Sequence, residues 1–218
     1  MLELSRIRQR EMMPRLFDQL ASRTGQILNI AGAAQTIGLE KSTAENYLRL
    51  LEAVYLVSRL PAWGTTLGSR IARQPKLHLV DSGLAAWRMG LTPAKIAAGD
   101  PSTLTAYGQL TETFAVGEIL EQVSWWDGPV SFGHFRTATG DEVDLVLETD
   151  DGLVIAFEFK AGSRVHGEDL RGIRSLRTRL GPRLSAAVVF CTGPRMFRHD
   201  EGAYIVPLDA LWTALPLT

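Results

Sequence analysis

Between Glu3 and Ala21 the apolar residues Ile7, Leu16, Phe17 and Leu20 fall near one face of a 3.6-residue period. That pattern predicts a helix, and Gly25 stops it. A short helix is expected from Ala31 to Ile37, ending at Gly38. A third opens at Ser42, with Glu45 at capping-box spacing. In it Tyr47, Leu48, Leu51 and Val54 hold core spacing, which leaves Lys41, Thr43, Ala44, Asn46 and Arg49 facing outward. YLVSRL and KLHLV read as two strands around a loop carrying Gly64, Gly68, Arg70 and Arg73. Small residues, a glycine turn, a capped second helix and a two-stranded wing are the parts of a winged helix-turn-helix.

The helical period returns from Tyr107 to Trp125, with Leu110, Phe114, Ile119 and Val123 as expected core. Three strands follow, VSFGHFR, EVDLVLE and LVIAFEFK, the last two joined by the four-residue loop Thr149 to Gly152. A basic helix from about Gly167 to Leu180 ends at Gly181-Pro182. SAAVVFC reads as a buried strand and AYIVPL as another. The expected fold class is therefore α+β, a winged helix-turn-helix followed by an α-β-β-β-α-β domain. The segment TPAKIAAGDPSTLTAYG reads as a linker, dividing the chain into 1–100 and 101–218.

Composition narrows the chemistry. The 218 residues are 45% hydrophobic and 22% charged, so the chain buries a substantial core and is not disordered. No apolar run reaches the roughly 18–20 residues that span a bilayer, and the start, MLELSRIRQREMMPR, is charged throughout. The expected compartment is the cytoplasm, with no membrane partner. One cysteine, Cys191, excludes an internal disulfide and a cysteine-cluster zinc site. The net charge of −1 conceals a net +6 up to Ala98 and a net −7 beyond it, as two modules with different partners would show. No GK[ST] occurs, so no nucleotide site of the phosphate-loop type is expected.

Two readings suit the first module. In one, Lys41, Thr43, Asn46 and Arg49 enter a DNA major groove while Arg70 and Arg73 contact phosphate. In the other, the module is a spacer or protein-docking element with an ordinary solvated face. Asp81 before Ser-Gly is a helix cap, and His78 is structural.

The second module carries candidate catalytic groups. With a period of two, Val143, Leu145 and Leu147 share one face of their strand, and Glu142, Asp144 and Val146 the other. In the next strand Val154, Ala156, Glu158 and Lys160 share a face. If the two strands pair, Asp144, Glu158 and Lys160 converge, the last two roughly 6.6 Å apart along the strand. Two carboxylates brought together repel each other, and a hard cation such as Mg²⁺ relieves that repulsion. A lysine beside the metal positions or helps deprotonate a water.

Asp144, then 13 residues, then Glu158-Phe159-Lys160 resembles the PD-(D/E)XK signature of the restriction-endonuclease-like fold, which the α-β-β-β-α-β order suits. The resemblance implies metal ligation by Asp144, Glu158 and the carbonyl of Phe159, with Lys160 catalytic, Mg²⁺ (or Mn²⁺) as cofactor and Glu118 as a helical carboxylate. No proline precedes Asp144, a departure from the Pro-Asp form. It also implies a possible homodimer, since many nucleases of this fold act as dimers to cut both strands. Across nearly the whole chain, TGQILN, IGLEKSTAENYLRLLE, PKLHLVDSGLAAW, TETFAVGEIL, HFRTATGDEVDLVLE and AFEFKAG are similar to the uncharacterised carboxy-terminal region of prokaryotic AAA-type ATPases. That family implies an AAA-type ATPase domain ahead of the region, and none stands ahead of it in this sequence.

Arg136 either holds a phosphate or pairs with Glu142, and Arg171 and Arg174, with Arg164, either track a nucleic-acid backbone or form the solvated face of an amphipathic helix. His134, His166 and His199 are expected at surface or loop positions, and Trp125 and Trp126 packed at a helix end. Two functions follow: a Mg²⁺-dependent endonuclease, or a non-catalytic DNA-binding or protein-docking module serving an AAA-type ATPase.

Overall fold

The computed structural model describes residues 2–64 and 74–213, and the backbone alone for residues 2–10. The chain is α+β. It divides into two units, one of Met1–Arg59 with Pro75–Thr113, the other of Leu60–Gln74 with Phe114–Thr218.

The amino-terminal half runs α1 (Leu2–Ala21), β1 (Gln26–Ile27), α2 (Ile30–Thr36), α3 (Lys41–Ala53), β2 (Val57–Leu60), β3 (Lys76–Leu79) and α4 (Ser82–Arg88). Its strands form a sheet in the order β1-β3-β2. Leu16, Leu20, Ala33, Ala34, Leu48, Leu51, Val57, Leu77 and Leu79 make its core. Ala44 belongs to this core too and is fully buried, whereas the period assigned it outward. It lies one turn before Leu48 on the same face, so burying Leu48 buries Ala44. Val54 is exposed because it caps the end of α3.

Ser42 does not open α3. The helix begins at Lys41 after Glu40, which makes no side-chain cap bond. Asp81 does cap α4, accepting from the N–H of Leu84 at 2.8 Å. Arg70, Arg73 and Gly68 of the expected wing lie outside the described residues.

The expected linker is helical. Thr92 caps α5 (Pro93–Ala98), which ends at left-handed Gly99. Asp100 accepts from the N–H of Thr103 at 3.2 Å and leads into α6 (Pro101–Val123). The Thr-Pro and Asp-Pro pairs that read as loop punctuation are helix starts, with proline at the first position where its missing N–H costs nothing.

The second unit holds β4 (Val130–Arg136), β5 (Glu142–Thr149), β6 (Val154–Lys160), a 3-10 turn (Gly167–Leu170), α7 (Arg171–Leu180), β7 (Leu184–Cys191), β8 (Phe197–Arg198) and β9 (Tyr204–Pro207). Among the described residues these strands form one mixed sheet in the order β4-β5-β6-β7-β9-β8. β4, β5 and β6 pair antiparallel, β6, β7 and β9 parallel, and β8 antiparallel to β9. β8, only two residues long, was not expected.

Strand alternation sorts the core into two layers. Ala115, Val116 and Ile119 of α6 pack with Leu145, Leu147, Phe159 and Phe190. Ile173, Leu176 and Leu180 of α7 pack with Val146, Val154, Ala156, Val189 and Ile205. The start of the second unit, where Leu60, Ala62 and Trp63 are buried, lies along the edge strand β4. There the N–H of Trp63 donates to the His134 carbonyl at 2.7 Å and that of His134 to Pro61 at 2.9 Å. His134 is thus buried rather than superficial, and its Nε2 stands 3.1 Å from the Gln74 carbonyl.

Candidate active site

The site forms where the β5–β6 ladder ends. Between β4 and β5 the register shifts from Gly133 opposite Val146 to Phe135 opposite Val143, so two steps of β4 match three of β5. The extra residue falls at Asp144 and Leu145. Strict alternation breaks there, and Val143 packs with Val146 instead of Leu145. Bulges of this kind re-aim a side chain and terminate pairing. Pairing of β5 with β6 runs from Glu148–Val154 to Leu145–Phe157 and goes no further.

Beyond that point a side chain replaces the ladder: Asp144 Oδ2 accepts the backbone N–H of Phe159 at 3.0 Å. A strand residue directs its N–H and C=O to the same neighbour, so the Phe159 carbonyl looks into the same gap as its N–H. Glu158 and Lys160 flank Phe159, and Lys160 Nζ donates to Glu158 Oε1 at 2.8 Å. Asp144 and Glu158 retain 7% and 8% of their accessible surface.

Asp169 completes the group. It sits in the 3-10 turn before α7, with Oδ1 3.7 Å from Lys160 Nζ. Its Oδ2 accepts the His166 N–H at 2.8 Å, and the His166 side chain accepts the Asp169 N–H in return. Burial works to lower the Lys160 pKa, but the carboxylates of Glu158, Asp144 and Asp169 outweigh it and raise the pKa above 10.5. Lys160 is an ammonium at neutral pH. Asp169 was missed in the sequence, where the one signal was His166-x-x-Asp169 at capping-box spacing.

The donor set fits a hard cation. Two nearly buried carboxylates and a neighbouring carbonyl supply oxygen alone, and Mg²⁺ is commonly held by one or two carboxylates with water completing its shell. Among the described residues no group of three or more His, Cys, Asp or Glu side chains is placed to hold a metal ion, so Glu118 does not join Asp144 and Glu158. Glu118 is half-buried on α6, the helix covering the sheet face of Leu145 and Phe159. Glu158 and Lys160 alternate with Phe159 and face away from that helix.

Three of the expected phosphate contacts, Arg136, Arg171 and Arg174, are held by the protein itself. Arg136 pairs with Glu142 at 3.6 Å. Arg171 pairs with Asp141 at 3.1 Å. Arg174 pairs with Glu201 at 2.9 Å and donates to the Gly167 carbonyl at 2.7 Å. A shallow groove of about 420 Å³ runs past Asp141, Arg171, Arg174, Ser175, Thr178 and Arg179. In the first unit Lys41 pairs with Glu45 at 3.5 Å and Arg49 donates to Asn46, while Thr43 is half-buried. Trp125 and Trp126 do not pack at the helix end, since they stay 82% and 65% exposed.

Residues 1–95 match the family model described as Domain of unknown function (DUF8612), and residues 107–211 match Domain of unknown function (DUF4143). Two relatives share 26% identity over 201 residues: "Uncharacterized protein Rv2008c" of Mycobacterium tuberculosis and "Uncharacterized protein Mb2031c" of Mycobacterium bovis. The alignment covers 92% of this chain and 43% of each relative, so the chain spans less than half the length of these proteins. No solved structure matches the chain. No helix among the described residues is long and apolar enough to cross a membrane.

Proposed function

We propose that the chain is a Mg²⁺-dependent endonuclease of PD-(D/E)XK type acting on DNA, with a winged helix-turn-helix ahead of a restriction-endonuclease-like domain. The observation that carries this reading is the meeting of Asp144, Glu158 and Lys160 at the open end of the β5–β6 ladder. Asp144, Glu158 and the Phe159 carbonyl would hold the cation, which when bound would supply polarisation of the phosphate and a lowered pKa for water. The Lys160 ammonium orients the attacking water and offsets negative charge building on the phosphate. Water oxygen bonds to phosphorus and gives up a proton to solvent, the ester P–O bond breaks, and the leaving oxygen takes a proton from solvent.

Support for the first module is the α2-turn-α3 pair beside adjacent strands β2 and β3, with Lys41, Asn46 and Arg49 exposed on α3. The resemblance to the carboxy-terminal region of AAA-type ATPases supports an ATPase domain as partner.

A second reading has its own observation. Lys41, Arg136, Arg171 and Arg174 each already pair with a carboxylate, which lowers their attraction for phosphate and suits a non-catalytic docking module for an AAA-type ATPase. Nicking of supercoiled plasmid separates the two. Mg²⁺-dependent nicking that EDTA and Lys160→Ala both abolish supports the endonuclease. Intact plasmid, with binding that weakens as salt rises, supports the docking module.

A further inference from the structure

Lys160 and a divalent cation would compete for one partner. Its ammonium donates to Glu158 at 2.8 Å, and Glu158 is one of the two carboxylates offered to a cation. Two positive charges do not share one carboxylate oxygen at low cost in a partly desolvated site. When a divalent ion takes Glu158, Lys160 needs another anion within reach.

Asp169 is that anion. Its Oδ1 already lies 3.7 Å from Lys160 Nζ, a short side-chain rotation from a direct hydrogen bond. Its position does not depend on Lys160, because Oδ2 is tied to the His166 N–H at 2.8 Å and the His166 side chain returns a bond to its backbone. The turn that carries it is anchored in turn by Leu170, which is fully buried in the layer beneath α7.

We infer that Asp169 is the positioning residue of Lys160, receiving its ammonium when a divalent cation occupies Glu158. The inference rests on the metal-dependent reading above. It gives the 3-10 turn a purpose: holding one carboxylate still while the lysine changes partner. Lys160 then remains beside the cation without competing for its ligand.

The test is calorimetric titration of the full chain with Mg²⁺ alone, no nucleic acid present. Wild type, Asp169→Asn, Lys160→Met and the double variant are compared. Asparagine keeps an oxygen for the His166 N–H, so the turn stays capped, and Asp169→Ser provides a second capping variant. With Asp169 neutral, Lys160 stays on Glu158, and Mg²⁺ affinity is expected to fall about tenfold. In the Lys160→Met background the same change is expected to alter affinity less than about twofold. An equal loss in both backgrounds overturns the inference, because Asp169 then acts through its charge alone. Unchanged affinity in Asp169→Asn overturns it as well. A wild-type protein that binds no Mg²⁺ removes the metal-dependent reading beneath, and the inference with it.

Discussion

Asp144 and Phe159 are joined by a hydrogen bond in which a carboxylate, rather than a strand carbonyl, accepts the Phe159 N–H at 3.0 Å. Asp144 therefore closes a sheet and serves a site at once, and the two roles separate by substitution. Asp144→Ala leaves a buried N–H unpaired and is expected to cost about 1–3 kcal/mol. Asp144→Asn retains an acceptor oxygen and is expected to cost less, while still losing cation binding. Urea unfolding of the two variants, followed by Mg²⁺ titration, checks the split.

Gly172 fixes how closely α7 lies on β5. A Cβ there would stand 1.6 Å from the Glu142 carbonyl oxygen, which is backbone and has no side chain to swing aside. Gly172→Ala is expected to destabilise the second unit by about 1–3 kcal/mol or more. Gly117→Ala, with open space around it, is the control and is expected to be neutral or to gain up to about 1 kcal/mol. Thermal unfolding of both proteins reads the difference.

Lys160 gives a pH dependence of known sign. Its folded pKa is raised above 10.5, so its contribution to stability is complete below pH 10.5 and is lost as pH climbs through the folded value. The stability difference between wild type and Lys160→Met should be constant from pH 7 to 9 and shrink in alkali above 10.5. A difference that instead changes between pH 5 and 8 would point to another group.

Much of this architecture was legible in the chain. Alternation in EVDLVLE and LVIAFEFK placed β5 and β6, the apolar run SAAVVFC placed β7, and the period after Tyr107 placed α6. That Glu158 and Lys160 share a strand face followed from their spacing; the 2.8 Å bond between them did not. What alternation could not show was its own interruption. The bulge at Asp144 and Leu145 depends on β4 being one step shorter across the pair, a property of two strands and not of either one. Asp169 escaped for a related reason, since its partner is nine residues back on another element. Ala44 was misplaced because a small residue gives no hydrophobic signal of its own.

Lys76 was another surprise. It opened a strand in the pattern, yet it is 2% exposed and donates to Glu112 at 2.7 Å. Removing one member of an ion pair with a buried ammonium weakens the compensation of the other charge, so Glu112→Ala is expected to destabilise the first unit, by at most about 3–5 kcal/mol. Replacing both together by apolar residues is expected to recover most of that loss, as denaturant unfolding of single and double variants would show.

The endonuclease reading meets its most direct test in cleavage of an end-labelled DNA duplex, with enzyme in excess, by wild type and Glu158→Gln. The prediction is Mg²⁺-dependent strand scission that disappears in EDTA and falls on the order of a hundredfold or more in the variant. Scission that persists in EDTA, or equal rates in the two proteins, would contradict a metal site at Asp144 and Glu158.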